Sequence, residues 1–305
     1  MKPHAPNCFR STNAFTLVEL FVVIAVLGLL AVLLIPVLAG ARSGSWLAEC
    51  QSNQRQIGTG FRLFESDHAD LFPPAGLEGT LDGGQLAWDT YIHRYIGGTA
   101  PDPWLSLGIL PSQFSPPTEY CPTDSPGRTT KTSWMGNPPW NGLRSYAMVG
   151  VSDSSRPVPQ TDARSGTYSL PPLSLGVGIY WTALNTDWNA KSYRTSVIQD
   201  AGATILLVEE PNTYAAAGNV WPCISKGPLS PSSSGLAVLF QLDPTRPEPT
   251  TGSASNQGWH TYDLHGGRFN YLFHDGHVEA LAVEQTIGAG TLNHPKGVWT
   301  VAAGD

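Results

Sequence analysis

Charged side chains are scarce in this chain of 305 residues, and several familiar motifs are absent. Asp, Glu, Lys and Arg make up 13% of the sequence, and the formal net charge is −7. An acidic chain without a Lys/Arg cluster is a poor nucleic-acid binder, so we expect no nucleic-acid partner. The sequence has no Gly-x-Ser-x-Gly elbow, phosphate-binding loop, dinucleotide fingerprint or EF-hand spacing. We therefore predict that the protein is not an enzyme.

No charged residue lies between Glu19 and Arg42, and most of this stretch belongs to an apolar run that begins at Phe15 and ends at Ala39. As a helix of about 25 residues this run is roughly 37 Å long, enough to cross a hydrocarbon core of about 30 Å. The run predicts a membrane-spanning helix. The alternative, a secretory signal removed after Ala41, fits less well because such signals have apolar regions of about 7–15 residues.

The residues around this helix give its orientation and one anomaly. Lys2 and Arg10 precede the apolar run, which predicts a cytoplasmic N-terminus. Glu19 places a single carboxylate at the edge of the bilayer, where it is costly unless something pairs with it. We therefore interpret Glu19 as a functional residue.

The segment from Ala14 to Glu19, AFTLVE, followed by the apolar run, resembles the class III signal of type IV pilins and type II secretion pseudopilins. The resemblance implies that a prepilin peptidase cleaves between Ala14 and Phe15 and methylates the new terminus. That family usually has glycine where this chain has Ala14, which is also small. It further implies that Glu19 pairs with the Phe15 amine of a neighbouring pilin-like subunit, an attraction that is strong in a low dielectric.

Helical periodicity continues beyond the membrane segment. Apolar residues recur at helical spacing at Trp46, Cys50, Ile57, Phe61 and Phe64, which predicts one helix from about Phe15 to Asp67. Pro36 falls where the related proteins tolerate a kink or local melting of this helix. Gly58 and Gly60 weaken the helix and indicate close approach of another element. The paired prolines of Leu71-Phe72-Pro73-Pro74 predict that the helix ends before them.

The remainder of the chain favours strands and loops, because it has no further long amphipathic pattern. The predicted organisation is a leader (1–14), a transmembrane helix (15–40), its extracytoplasmic continuation (41–68) and a β-rich domain (69–305). Apolar runs between turn signals predict strands at 145–149, 205–208, 236–240 and 269–273. Two segments rich in Pro, Ser, Gly and Thr, 154–172 and 226–256, predict long loops.

A second motif lies near the C-terminus, where nine residues separate His265 from Asp275-Gly276. It resembles the processing-associated H-X9-DG domain, of the DUF1559-type family, which accompanies prepilin-type N-termini. If the leader is removed with Cys8, three cysteines remain, enough for at most one disulfide. The resemblance favours Cys50 with Cys121, whose surrounding segments look like recurrent segments of that family. The alternative is three buried free thiols.

The H-X9-DG segment predicts a β-hairpin. Phe269, Tyr271 and Phe273 alternate with other side chains, and Asp275-Gly276 fits a two-residue type I′ turn. Pairing across such a turn sets His274 opposite His277, with about 4.5–5.5 Å between Cβ atoms. Two imidazoles would then share one face of the hairpin.

These histidines permit a metal hypothesis and a plainer alternative. His265, His274 and His277, with Asp275, have the ligand chemistry of a zinc site. In the alternative, which we favour, Asp275 caps its own turn and His265 bonds a backbone group of the hairpin. His274 and His277 are then solvated tip residues.

Three further groups of residues are weaker candidates for a functional site. Asp82-Gly83-Gly84 and Asp263 are candidate calcium ligands, although their spacing is not that of an EF-hand. Glu209-Glu210 is a candidate carboxylate pair for acid–base chemistry, although a strand that runs into Pro211 more often ends in water. Four tryptophans among Gly, Asn and Pro are a candidate sugar-binding or partner surface, although tryptophan is more often core: Trp134, Trp140, Trp181 and Trp188.

The sequence as a whole predicts an α+β, pilin-like protein with a long N-terminal transmembrane helix packed on a β-rich globular domain with long loops. Its expected place is the bacterial inner membrane, with the globular domain periplasmic. The expected function is assembly into, or decoration of, a type IV pilus-like or type II secretion-like filament. The alternative is a stand-alone anchored envelope protein whose β-rich domain binds a ligand, polysaccharide or divalent metal.

Overall fold

The computed structural model describes part of the chain in two compact units, Met1–Ser45 and Trp46–Asp305. The described residues are 16–78, 85–107, 110–124, 144–150, 175–181, 192–209, 216–217, 224–225, 227–228, 265–291, 295–302 and 304. The predicted cleavage site, the strand at 236–240, most of both predicted loops and the candidate calcium ligands lie outside them. So do Cys223, Glu210 and three of the four tryptophans, whereas Trp181 lies in a strand.

The described elements confirm an α+β fold. The helices are α1 (Leu17–Asp67), α2 (Trp88–Ile92) and α3 (Asp102–Leu107). Short 3-10 turns lie at Ser112–Phe114, Pro117–Glu119, Thr195–Val197, Val283–Gln285 and Gly297–Trp299. The strands are β1 (Gly76–Glu78), β2 (Gln85–Ala87), β3 (Arg144–Val149), β4 (Tyr180–Trp181), β5 (Ile205–Glu209), β6 (Ala216–Ala217), β7 (Ile224–Ser225), β8 (Phe269–Phe273) and β9 (Val278–Leu281).

In the first unit, helix α1 begins with a capping box. The Thr16 hydroxyl accepts a hydrogen bond from the Glu19 backbone N–H at 3.2 Å, and the Glu19 carboxylate accepts one from the Thr16 N–H at 2.8 Å. The Thr16 hydroxyl also donates to this carboxylate at 2.7 Å. Two backbone donors without helical partners are thereby satisfied. The stretch Leu17–Ile35 is apolar and long enough to cross a membrane, and none of it is buried within the chain.

In the second unit, helix α1 packs on the sheet through its apolar side. Cys50, Ile57 and Phe61 are fully buried. A Cβ added at Gly58 would lie 3.0 Å from Leu272 of β8, and one at Gly60 would lie 2.5 Å from Ile96. Both glycines therefore allow the close approach that the sequence indicates. The helix ends at Asp67, before the paired prolines, as predicted.

The larger sheet has the order β6-β3-β5-β8-β9, with β7 also paired to β3. Strands β3, β5, β8 and β9 form antiparallel pairs in that sequence, whereas β6 and β7 are parallel to β3. The smaller sheet has the order β2-β1-β4. The predicted strands at 145–149, 205–208 and 269–273 are confirmed as β3, β5 and β8, with one added residue at the start of β3 and one at the end of β5.

Every residue of β3, β5 and β8 is buried. Strands covered on both faces read as apolar runs rather than as alternating patterns. Polar side chains on these strands must therefore find partners inside the protein. Glu209, Asn270 and Arg144 are such residues, each at most 1% exposed.

Candidate functional site

The candidate site is built where helix α1, strand β5 and the hairpin come together in the second unit. Cys50 of α1 forms a disulfide with Cys121, with 5.0 Å between their Cα atoms. This is the pairing that the family resemblance favours. The cross-link ties the helix to the loop after the 3-10 turn Pro117–Glu119, and Asn53 supports it by donating from Nδ2 to the Tyr120 carbonyl at 3.0 Å.

Glu209 occupies the end of β5, directly beside this disulfide. Its carboxylate accepts hydrogen bonds from the Asn270 backbone N–H at 2.7 Å and from Asn270 Nδ2 at 2.9 Å. Its side chain has no exposed surface. The expectation that this strand end lies in water is therefore wrong, because β8 pairs alongside β5 and covers it.

His265, the first residue of the H-X9-DG motif, points its ring into the same place. Nε2 lies 3.3 Å from Glu209 Oε1 and 3.5 Å from Cys121 Sγ, and Thr123 Oγ1 lies 3.2 Å from Nε2. The ring is fully buried, and the backbone of His265 has a positive φ of 51°. The ring therefore contacts side chains of β5 and the Cys121 loop, not the hairpin backbone that the alternative predicts.

The hairpin turn differs from the predicted two-residue turn. Leu272 pairs with Val278, and the Phe273 N–H donates to the His277 carbonyl at 2.9 Å, so His274-Asp275-Gly276 forms a three-residue loop. Gly276 has φ 92°, the left-handed conformation that such a loop requires at this position. The loop is longer because the His274 and Asp275 N–H groups donate to the carbonyls of Thr204 and Ala201.

The altered register separates His274 from His277. The His274 ring packs edge-on against Phe72 with 4.9 Å between centroids, and burial lowers its pKa to about 3. The His277 ring stacks on Phe273 at 4.2 Å and is partly exposed. The idea that these two imidazoles share one face, or that both are solvated, is wrong. The structure also does not bring His265, His274 and His277 together as metal ligands.

Asp275 caps its own turn, as the plainer alternative predicts. Oδ1 accepts the His277 backbone N–H at 3.0 Å and lies 2.6 Å from His277 Nδ1. Partial burial raises the pKa of Asp275, but these hydrogen bonds outweigh burial and hold the pKa below its ordinary value. The Asp-Gly pair of the motif is thus explained by turn geometry.

A second buried polar group was not anticipated from the sequence. Arg144 at the start of β3 lies between two carboxylates, with Nε 2.7 Å from Asp89 and Nη1 2.7 Å from Glu119. Burial raises the pKa of Glu119 to about 8, although the Arg144 charge opposes it. Nearby, burial lowers the pKa of His93 to about 4, and its Nε2 accepts the Ala100 N–H. This group joins α2, a 3-10 turn and β3, and residues so far apart in sequence give no local signal.

The capping box at Thr16 and Glu19 was also missed, although its signal is local. The spacing Thr-x-x-Glu before an apolar run is the sequence pattern of a helix start.

No protein-family model, curated protein or solved structure matches the chain.

Proposed function

We propose that the chain is a membrane-anchored, pilin-like or pseudopilin subunit. In this proposal a prepilin peptidase cleaves between Ala14 and Phe15, and the mature chain assembles into, or decorates, a type IV pilus-like or type II secretion-like filament. The role is structural rather than catalytic. The globular domain is extracytoplasmic and remains attached to the inner membrane or the filament through the N-terminal helix.

One observation supports this proposal above the others. All side chains from Leu17 to Ile35 are exposed in the isolated chain, although most are apolar. Nineteen helical residues extend about 29 Å, close to the thickness of a bilayer core. Such a surface requires lipid or neighbouring apolar helices around it. Helix packing among copies of the same segment would supply such neighbours when subunits leave the bilayer for a filament.

Glu19 has a defined place in this scheme. Its carboxylate already accepts the Thr16 N–H and hydroxyl, so it sits at the first turn of the helix. After cleavage the Phe15 amine would be one residue from this cap. A carboxylate at the first turn of the helix is positioned to attract the amine of an adjacent subunit. Until that partner arrives, the capping bonds lower the free-energy cost of an unpaired charge at the membrane edge.

Two experiments test the proposal. The mature N-terminus, from mass spectrometry of protein taken from membranes, should be methylated Phe15. A terminus at Arg42 would reject the anchor, and an intact Met1 would leave a plain membrane protein.

The second experiment separates assembly from helix capping. Glu19→Val and Glu19→Lys should abolish multimers, measured by cross-linking in membranes, while the monomer remains inserted. Thr16→Val is the matched control, because it removes the capping hydroxyl and keeps the carboxylate. If Thr16→Val lost multimers as completely as Glu19→Val, the carboxylate would act only as a cap. If the native chain and Glu19→Val formed the same amount of multimer, or if neither formed any, a stand-alone anchored binding protein would be favoured.

A further inference from the structure

Among the described residues, one group of side chains has the composition of a metal site. One ligand atom from each of Cys50, Cys121, Glu209 and His265 lies within 4.8 Å of all the others. We propose that the reduced chain binds a divalent metal ion, zinc by preference, through these four residues, at the place where the oxidised chain holds its disulfide. This inference does not depend on filament assembly.

Two of the distances between candidate ligand atoms match a tetrahedral zinc site. Zinc lies about 2.3 Å from sulfur and about 2.0–2.1 Å from imidazole nitrogen or carboxylate oxygen. Tetrahedral angles then require about 3.5 Å between sulfur and nitrogen and about 3.3 Å between nitrogen and oxygen. The structure has 3.5 Å from Cys121 Sγ to His265 Nε2 and 3.3 Å from that nitrogen to Glu209 Oε1. Once the disulfide is reduced, the sulfurs need only separate to about 3.8 Å.

Neighbouring side chains already contact two of the candidate ligands, Glu209 and Cys121. Asn270 donates to both oxygens of the Glu209 carboxylate. Thr123 Oγ1 lies 3.3 Å from His265 Nδ1 and 2.9 Å from Cys121 Sγ. With the disulfide reduced and the metal bound, the Thr123 hydroxyl would donate to the Cys121 thiolate. Such second-shell bonds fix the direction of the ligands.

The protons and charges of this step balance. Zinc binding displaces one proton from each thiol to solvent. The neutral His265 ring binds the ion through Nε2, so its single proton, which faces Glu209 from Nε2 in the metal-free chain, is on Nδ1 in the complex. No electron is transferred. Two thiolates neutralise the charge of Zn²⁺, so the zinc-bound pocket has the same net charge as the disulfide-bonded pocket. Neither state adds an uncompensated charge to a buried place, which would be costly.

The disulfide-bonded state and the metal-bound state exclude each other, but both link the same two segments. Either the disulfide or the ion joins Cys50 on helix α1 to the Cys121 loop. The ion additionally joins both to β5 and to the histidine of the H-X9-DG motif. This gives His265 a role that the turn geometry of Asp275 and Gly276 does not.

The test uses the full chain in detergent, with Cys8 and Cys223 replaced by serine so that only the two candidate thiols remain. The sample is reduced with a phosphine and titrated with Co²⁺ without oxygen, then with Zn²⁺. We expect one equivalent of cobalt with the visible spectrum of a tetrahedral thiolate site, displacement by zinc, and protection of both thiols from alkylation. The oxidised sample should bind none. The proposal would be overturned if the reduced chain lacked the cobalt–thiolate absorption bands, or if Cys50→Ser retained them.

Matched variants distinguish this site from other histidine sites. Thr123→Val should weaken cobalt binding by about 10–100-fold, the usual effect of losing a second-shell partner. His265→Gln should abolish the tetrahedral spectrum, and formation of the disulfide in its oxidised form checks that it folds. His277→Gln, an exposed histidine on the same hairpin, should leave the cobalt affinity unchanged. Equal loss in His265→Gln and His277→Gln would contradict the assignment.

Discussion

Replacing Arg144 with methionine should destabilise the fold by an amount that depends on pH. Arg144 is 1% exposed and lies between Asp89 and Glu119, which are equally buried. Because burial raises the pKa of Glu119 to about 8, that carboxyl is already largely protonated at pH 7. Without the guanidinium, Asp89 must also take up a proton, because an unpaired buried charge is too costly.

The cost follows from the ordinary pKa of aspartate, 3.8, which applies in the unfolded chain. At 1.36 kcal/mol per pH unit, protonating Asp89 costs at most about 4 kcal/mol at pH 7 and about 2 kcal/mol at pH 5. In the variant the folded pKa of Asp89 lies above its unfolded value. Stability from this group is therefore present below pH 3.8 and is lost as the pH rises. Burial already raises the pKa of Asp89 in the native chain, although Arg144 opposes it. The difference in stability between the variant and the native chain should therefore shrink by at most about 3 kcal/mol from pH 7 to pH 5.

Urea unfolding of the full chain in detergent, followed by tryptophan fluorescence, measures this difference, since Trp88 and Trp299 are fully buried. The control is Arg144→Met combined with Asp89→Asn, which removes the group that titrates. This double variant should lose the pH dependence of the single variant and be the more stable of the two at pH 7. A loss of stability that is equal at pH 5 and pH 7 would refute the argument, as would a double variant with unchanged pH dependence.

Three further predictions concern the second unit. His274→Gln should reduce acid sensitivity. The folded pKa of about 3 lies below the ordinary 6.5, so stability is lost as the pH falls between them, by about 3 kcal/mol from pH 6.5 to pH 4. An unchanged pH profile in urea unfolding would contradict this. Gly276→Ala should cost about 1 kcal/mol in the same assay, because φ is 92° and no atom obstructs the new methyl. A gain in stability would count against the three-residue turn. Replacing Cys50 and Cys121 together by alanine should cost about 4 kcal/mol, since the disulfide closes a loop of 71 residues. This is measured in chelator, and a cost below 1 kcal/mol would contradict it.

Local patterns predicted much of the fold. Helix α1 ends at Asp67 because paired prolines follow it, and Gly58 and Gly60 sit where β8 and Ile96 approach the helix. Strands β3, β5 and β8 lie where short apolar runs predict them. In each case the deciding residues are neighbours in sequence, so the physical cause is visible without the tertiary structure.

The hairpin shows where local reasoning fails. Asp275-Gly276 fits a two-residue turn by itself, yet the loop has three residues because its N–H groups bond the segment between Ala201 and Thr204. One added residue changes which residues face each other across the hairpin. It also moves His274 from the surface into contact with Phe72. The competing hydrogen bonds come from about 70 residues earlier in the chain, beyond the reach of turn rules.

The sequence by itself determined the apolar helix, the Glu19 carboxylate at its start, the helix end and the three strands β3, β5 and β8, because each depends on spacing along one segment. Only the tertiary structure decided what Glu209 and His265 contact. Sheet pairing of β5 with β8 covers Glu209, and packing of α1 brings Cys50 and Cys121 beside it. Cys50, Cys121, Glu209 and His265 come from four separate segments. They meet because helix α1 packs on a sheet whose central strands are buried on both faces. A buried polar side chain must then be satisfied by whichever partners the packing delivers.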